Sequence, residues 1–170
     1  TCVLLDRERN QEYIEDLREL NCRVRLINHG DISAALSACV PETEVDLLAG
    51  IGNSAEGVLS AAAVQCFDGD FEAQLNPIGQ AQHDRLDEIG IDDHEKHYTV
   101  DDLADGEEMV FVCTGVTDGD FLKGVHVREG ELVTHSLLIT TEGIRRIIES
   151  RHIEPPETDA SSQPPLPGLF

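Results

Sequence analysis

Basic residues are scarce in this chain. Its 170 residues hold 12 lysines and arginines against 34 aspartates and glutamates, for a formal net charge of −22. A general nucleic-acid binder presents a basic face to phosphates, so that class is excluded. Docking on an anionic membrane surface is excluded for the same reason. Lysine is the rarer cation, with only Lys96 and Lys123. The acidic residues run from Asp6 to Asp159 without gathering in one tail, so they describe the solvated surface of a folded protein. An acid-rich, lysine-poor surface is the expected pattern of a cytosolic protein in high salt, where ions screen the self-repulsion.

Other absences narrow the reading further. The five cysteines (Cys2, Cys22, Cys39, Cys66, Cys113) form no CxxC pair and no Cys/His cluster. They read as reduced, buried thiols of a cytoplasmic protein. No apolar run approaches the roughly 18 residues of a membrane span, no signal-peptide pattern is seen, and there are no internal repeats. The first residues, Thr1-Cys2-Val3-Leu4-Leu5, already read as a buried strand. They raise the expectation of a chain that starts partway through a longer protein. The apolar content of 40% is enough for one sizeable core and one domain.

What is present is an alternation. Cys2 to Leu5 is a short apolar run suited to a parallel strand covered on both faces. Asn10 to Leu20 reads as a helix with Tyr13, Ile14, Leu17 and Leu20 on one stripe. Cys22 to Ile27 alternates as the next strand. Asp31 is placed to cap a helix through Cys39, which Pro41 ends. Val45 to Ala49 is a third strand, and an Ala-rich helix follows from Ala55 to Phe67. This spacing predicts βαβ units and a largely parallel sheet. Beyond it the pattern predicts a strand over 71–75, a polar helix over 83–89 and a strand entering a short capped helix over 98–103. It then predicts a strong strand over 109–114 and a hairpin of 125–128 with 132–140, turning at Glu129-Gly130. Residues 144–150 fit a last strand or a helix. From Pro155, five prolines among Ser, Asp and Glu mark residues 153–170 as a disordered tail.

Ligands of parallel α/β sheets bind at the carboxyl ends of strands. If the first three strands are parallel neighbours, three such loops open on one edge. In the first, Arg7 and Arg9 flank Glu8: two guanidinium forks suited to an anion, or partners for Glu8, Glu12 or Glu15. In the second, His29-Gly30-Asp31 places a carboxylate where it can cap the helix or accept from sugar hydroxyls. In the third, Gly50-Ile51-Gly52-Asn53 leads into a helix whose free N–H groups favour an anion. Glu56 lies in that helix's first turn, as a dipole partner or a hard oxygen ligand for Mg²⁺ or Mn²⁺. Gly50 to Ala55 also fits a dinucleotide fingerprint, with Asp68 or Asp70 as the ribose acid, which would make the chain a nucleotide-binding oxidoreductase module. A fourth loop, Thr114 to Asp120, flanks glycine with carboxylates and reads as a turn or a hydroxyl- or metal-facing loop. Thr134-His135-Ser136 lies inside a strand, where alternation separates His135 from both hydroxyls.

Taken together, Asp6-Arg7-Glu8-Arg9, His29-Gly30-Asp31, Asp46 to Gly52, Ala55 to Ala63, Thr114 to Val125 and Thr134 to Ser136 resemble class II fructose-1,6-bisphosphatase, the GlpX type, over residues 1–152. The resemblance implies a layered α/β sandwich of the sugar-phosphatase type, with the parallel sheet in its first part and a C-terminal hairpin. It implies metal-dependent removal, with Mn²⁺ or Mg²⁺, of the 1-phosphate of fructose 1,6-bisphosphate in gluconeogenesis. Sedoheptulose 1,7-bisphosphate is a related substrate. Position by position, Glu56 becomes a metal ligand and Arg7, Glu8 and Arg9 the phosphate segment. His29, Gly30 and Asp31 become the sugar segment, and Asn53 a substrate contact. The family usually has proline in place of Glu8, aspartate in place of His29 and a Gly-Ala/Thr-Pro-Glu turn where Asn53-Ser54-Ala55-Glu56 stands. The resemblance further implies a cytoplasmic homo-oligomer whose other metal ligands lie in a preceding half, so that this piece alone is inactive.

Overall fold

A computed structural model describes residues 1–119 and 121–153. Strand β1 (Cys2–Leu5) sits between β2 (Val24–Ile27) and β3 (Leu47–Leu48) in a parallel sheet of order β2-β1-β3. Cys2 is opposite Val24 on one side and Leu47 on the other. As the central strand, β1 is covered on both faces, which explains its unbroken apolar run.

Helix α1 (Gln11–Glu19), entered by a 3-10 turn at Glu8–Asn10, covers one face by packing Ile14 and Leu17 on Cys2 and Leu4. Tyr13 and Leu20, expected on the same stripe, are exposed. The buried stripe is centred on Asn10, Ile14 and Leu17, and at 3.6 residues per turn the other two fall at its margin. Helix α2 (Asp31–Ala38) covers the opposite face, with Ala34 against Val3 and Val45.

Helix α3 (Ser54–Gln65) packs beside α2. Leu36 of α2 joins Ala63, Cys66 and Phe67 in contact with Leu137 and Ile139 of a second sheet. That sheet is antiparallel and contains β6 (Val110–Thr114), β7 (His126–Arg128), β8 (Glu131–Thr140) and β9 (Arg145–Ile153). Helix α2 therefore touches both sheets, and α3 packs between α2 and the antiparallel one. Glu129 and Gly130, at φ 53° and 84°, make the expected two-residue turn. Residues 145–153 are a strand, because they pair with β8 from Ile139↔Arg145 to Glu131↔Ile153.

Between α3 and β6 lies a smaller excursion. Strands β4 (Glu72–Gln74) and β5 (His97–Thr99) pair antiparallel around helix α4 (Gln80–Glu88). Helix α5 (Val100–Leu103) follows, with Thr99 and Asp102 forming a capping box. The Lys96 ammonium and the Thr99 donors hold the Asp102 carboxyl down to about 2.

All five cysteines are free. Cys22 is exposed, against the expectation of five buried thiols, because it lies in the turn before β2 rather than on the strand. Burial pushes the thiols of Cys2, Cys39, Cys66 and Cys113 upward. No helix among the described residues is long and apolar enough to cross a membrane. The expected tail from Pro155 and Asp120 of the fourth loop lie outside the described residues.

Candidate functional site

The carboxyl ends of β1, β2 and β3 open on one edge of the parallel sheet, and two arginines tie their loops together. Arg7 donates from Nη1 to the Asp6 carbonyl at 2.8 Å and from Nη2 to the Asn28 carbonyl at 2.7 Å, joining the first loop to the second. Arg9 donates from Nε to the Ile51 carbonyl at 2.7 Å, joining the first loop to the third. Among the described residues neither arginine forms the alternative ion pair with Glu8, Glu12 or Glu15; loop carbonyls take both Nη groups of Arg7 and the Nε of Arg9 instead. Among the described residues, the Nη nitrogens of Arg9 make no hydrogen bond, and the residue is exposed. A guanidinium edge is therefore available to an anion.

Asn10 is the residue that sequence reasoning missed. It is fully buried. Its Nδ2 donates to the Leu5 carbonyl at 2.9 Å, and its Oδ1 accepts from the Ile51 amide at 2.7 Å. One amide side chain thus fixes the β1 end to the third loop. Gly50 has φ 124°, and a Cβ there would stand 2.9 Å from Asn10 Oδ1. Only glycine meets both demands. The available signal was Asn10's place on the Ile14–Leu17 stripe, where a polar residue has to be buried and bonded.

Gly30, at φ 91°, occupies the N-cap of α2, so Asp31 is that helix's first residue and not its cap. Asp31 Oδ1 accepts its neighbour Ile32's amide at 3.0 Å. A Cβ on Gly52 would lie 3.6 Å from Asp31 Oδ2, so the second and third loops are close neighbours. His29 and Glu8 are exposed.

Asn53 is the N-cap of α3 and makes no side-chain bond to its backbone. Its amide instead points to Glu56, with Nδ2 to Oε1 at 3.4 Å. The helix start therefore keeps free N–H groups, and Glu56 is a half-buried carboxylate beside them. Among the described residues, no three His, Cys, Asp or Glu groups are placed to hold a metal ion. Glu56 offers one hard oxygen donor, not a complete site.

The fourth loop also reaches this region. Asp118 Oδ1 accepts the Gly124 amide at 2.9 Å and lies 3.1 Å from His126 Nε2. The Gly124 amide, with His126 and Lys123 nearby, lowers the Asp118 carboxyl. Gly119 is next to Ser33 in the first turn of α2. Ser136 shares a hydrogen bond with Thr114, at 2.7 Å, while His135 lies 3.5 Å from Glu149. The structure brings no Ser/His pair together there.

The dinucleotide alternative fails on topology. Asp68 and Asp70 follow the end of α3 and precede β4, which belongs to another sheet. A ribose acid belongs at the carboxyl end of a second parallel strand.

The family model described as bacterial fructose-1,6-bisphosphatase, glpX-encoded, matches residues 1–152. The chain belongs to that family. A relative from Crocosphaera subtropica, named D-fructose 1,6-bisphosphatase class 2/sedoheptulose 1,7-bisphosphatase, is 39% identical over 165 residues. The match covers 89% of this chain and 48% of the relative. One from Acaryochloris marina with the same double name is 40% identical over 164 residues, covering 89% and 47%. This glpX-family chain thus spans about half the length of the curated relatives it matches.

Proposed function

We propose that residues 1–152 form the substrate-holding portion of a metal-dependent sugar bisphosphatase that removes the 1-phosphate of fructose 1,6-bisphosphate to give fructose 6-phosphate. The observation that carries this reading is the lacing of three strand-end loops by Arg7 and Arg9 around an uncapped helix start. That arrangement puts guanidinium and free helix N–H donors at one edge of a strongly acidic protein, where a phosphate ester would otherwise be repelled.

In this reading Arg9 presents its free Nη edge to a phosphate, while Arg7 holds the second loop in register. His29, Gly30 and Asp31 contact the sugar, and the Asp31 carboxylate accepts from hydroxyls. Asn53 orients Glu56, which contributes one oxygen to a divalent cation, Mn²⁺ or Mg²⁺. The cation, when bound, supplies charge relief at the phosphoryl group and activates water. Glu56 as a single donor among the described residues supports a division in which the remaining ligands come from residues outside this chain, so that 1–170 alone is inactive. The sugar-phosphatase sandwich, cytoplasmic location and homo-oligomeric assembly belong to the same proposal, as does treating 153–170 as a separate tail. The relatives' double name favours sedoheptulose 1,7-bisphosphate as a second substrate of the same site.

The test is phosphate release by the complete enzyme with either sugar bisphosphate. Glu56→Gln removes the anionic ligand at nearly constant shape, and turnover at saturating Mn²⁺ should be lost. Unchanged turnover would leave Glu56 as a helix-dipole partner only.

A further inference from the structure

The densest group of metal-ligating side chains away from this edge lies in the excursion between β4 and β5. His83 and Asp87 stand one turn apart on α4, and His94 comes from the segment that follows. His83 Nδ1 and His94 Nδ1 are 2.9 Å apart, and their rings are tilted by 44° at a centroid separation of 5.0 Å. On its far side, His94 Nε2 lies 3.0 Å from Asp87 Oδ1. This nitrogen is buried, yet its approach to Asp87 is off the line of a hydrogen bond.

Nε2 of His94 faces the Asp87 carboxylate, which only accepts, at 3.0 Å. In the tautomer with the His94 proton on that nitrogen, His83 Nδ1 is the donor between the rings and His94 Nδ1 keeps its lone pair. That tautomer presents a metal with one ring nitrogen in front and a carboxylate behind the other. The His94 ring is a compromise, aligned to His83 at one nitrogen and misaligned to Asp87 at the other.

We propose that His83 and His94 form a two-nitrogen site for Cu²⁺ or Ni²⁺, with Asp87 as the carboxylate behind His94. The donor type selects the ion class: two imidazole nitrogens brought within 2.9 Å suit a borderline cation, and the Irving–Williams order puts Cu²⁺ and Ni²⁺ ahead of Mn²⁺ and Fe²⁺ at such donors.

Binding moves one proton: the neutral His83 ring transfers its hydrogen from Nδ1 to Nε2 through solvent. Both rings pivot so that their lone pairs converge, and His94 gains the freedom to align Nε2 with Asp87. No third His, Cys, Asp or Glu among the described residues joins the pair, so water fills the remaining positions. Asp84 and Glu88 on α4, with Asp92, Asp93 and Glu95 after it, raise the local cation concentration, and Arg85 is the one cation on the helix. The site is independent of Glu56.

The experiment is a Cu²⁺ titration of the chain against a glycine competitor, read by electron paramagnetic resonance. Wild type should show a first equivalent with coupling to two nitrogens. His83→Gln and His94→Gln should each weaken that equivalent at least tenfold and leave one coupled nitrogen or none. Asp87→Asn keeps both rings and nearly the same volume, and should weaken binding about tenfold while two nitrogens remain. A wild-type spectrum without two-nitrogen coupling, or one that persists in both histidine variants, overturns the proposal. If loss of a ring loosens the segment, the Asp87→Asn affinity still decides, and an unchanged value counts against the site.

Discussion

Asn10 gives the sharpest test of how the loop edge is built. Asn10→Ala removes two hydrogen bonds from a fully buried side chain, at 2.9 Å to Leu5 O and 2.7 Å from Ile51 N. The Leu5 carbonyl keeps the Arg7 amide at 2.9 Å, so the main loss is the unpaired Ile51 N–H. An abandoned buried donor costs about 1–3 kcal/mol, and the lost carbonyl bond adds a fraction, so about 2–3 kcal/mol is expected. At roughly 2–4 °C per kcal/mol, the melting midpoint should fall by about 5–10 °C. The chain has no tryptophan, so urea and thermal unfolding are best followed by far-ultraviolet circular dichroism.

The same contact makes a second, independent claim. Gly50→Ala puts a Cβ 2.9 Å from Asn10 Oδ1 at φ 124°, so it should also destabilise. With the Asn10 side chain removed, the clash part of that cost disappears while the backbone strain stays. The double variant should therefore be more stable than the sum of the singles by about 1 kcal/mol. Strict additivity within about 0.5 kcal/mol, or an Asn10→Ala cost below that, would refute the lacing argument.

Other consequences are equally direct. Gly115→Ala drives a Cβ into the Lys123 carbonyl, a backbone atom that cannot swing aside, so the fourth loop should be displaced and the thermal midpoint should drop by several degrees. Asp102 is held to about 2, below its ordinary 3.8, so its stabilising effect is complete above about pH 4 and fades as pH falls toward 2. The stability gap between wild type and Asp102→Asn should accordingly close across that acid window in urea titrations. Its partner Lys96 is raised, so the pair also weakens when alkaline pH passes the lysine's folded value. Finally, molar KCl should raise the urea midpoint of the whole chain by screening a net charge of −22. A flat or falling midpoint would remove the high-salt reading.

The alternation of short apolar runs with helical stripes was legible because β1 is a central parallel strand and each neighbouring helix buries one stripe. The Gly-containing loops were legible as a shared edge for the same reason. The failures have local causes. Tyr13 and Leu20 sit one step off the buried stripe, and Cys22 lies in a turn. Residues 144–150 were ambiguous because β9 has no burial rhythm of its own: Ile147 is 62% exposed although its partner Leu137 is 3% exposed. Strand β9 is held by pairing to β8, a long-range bond that no local pattern records.

By itself, then, the sequence determined the α/β class of the fold, the family and the loops that share one sheet edge, since these depend on periodicity and on residue types at fixed spacing. The tertiary structure decided what those residues do to one another. It turned two arginines from candidate surface ion pairs into ties between loops, and made Asn10 the buried joint of the edge. It also brought His83 and His94, eleven positions apart, to 2.9 Å. Such contacts depend on the directions of side chains across separate elements, which only the packed chain fixes.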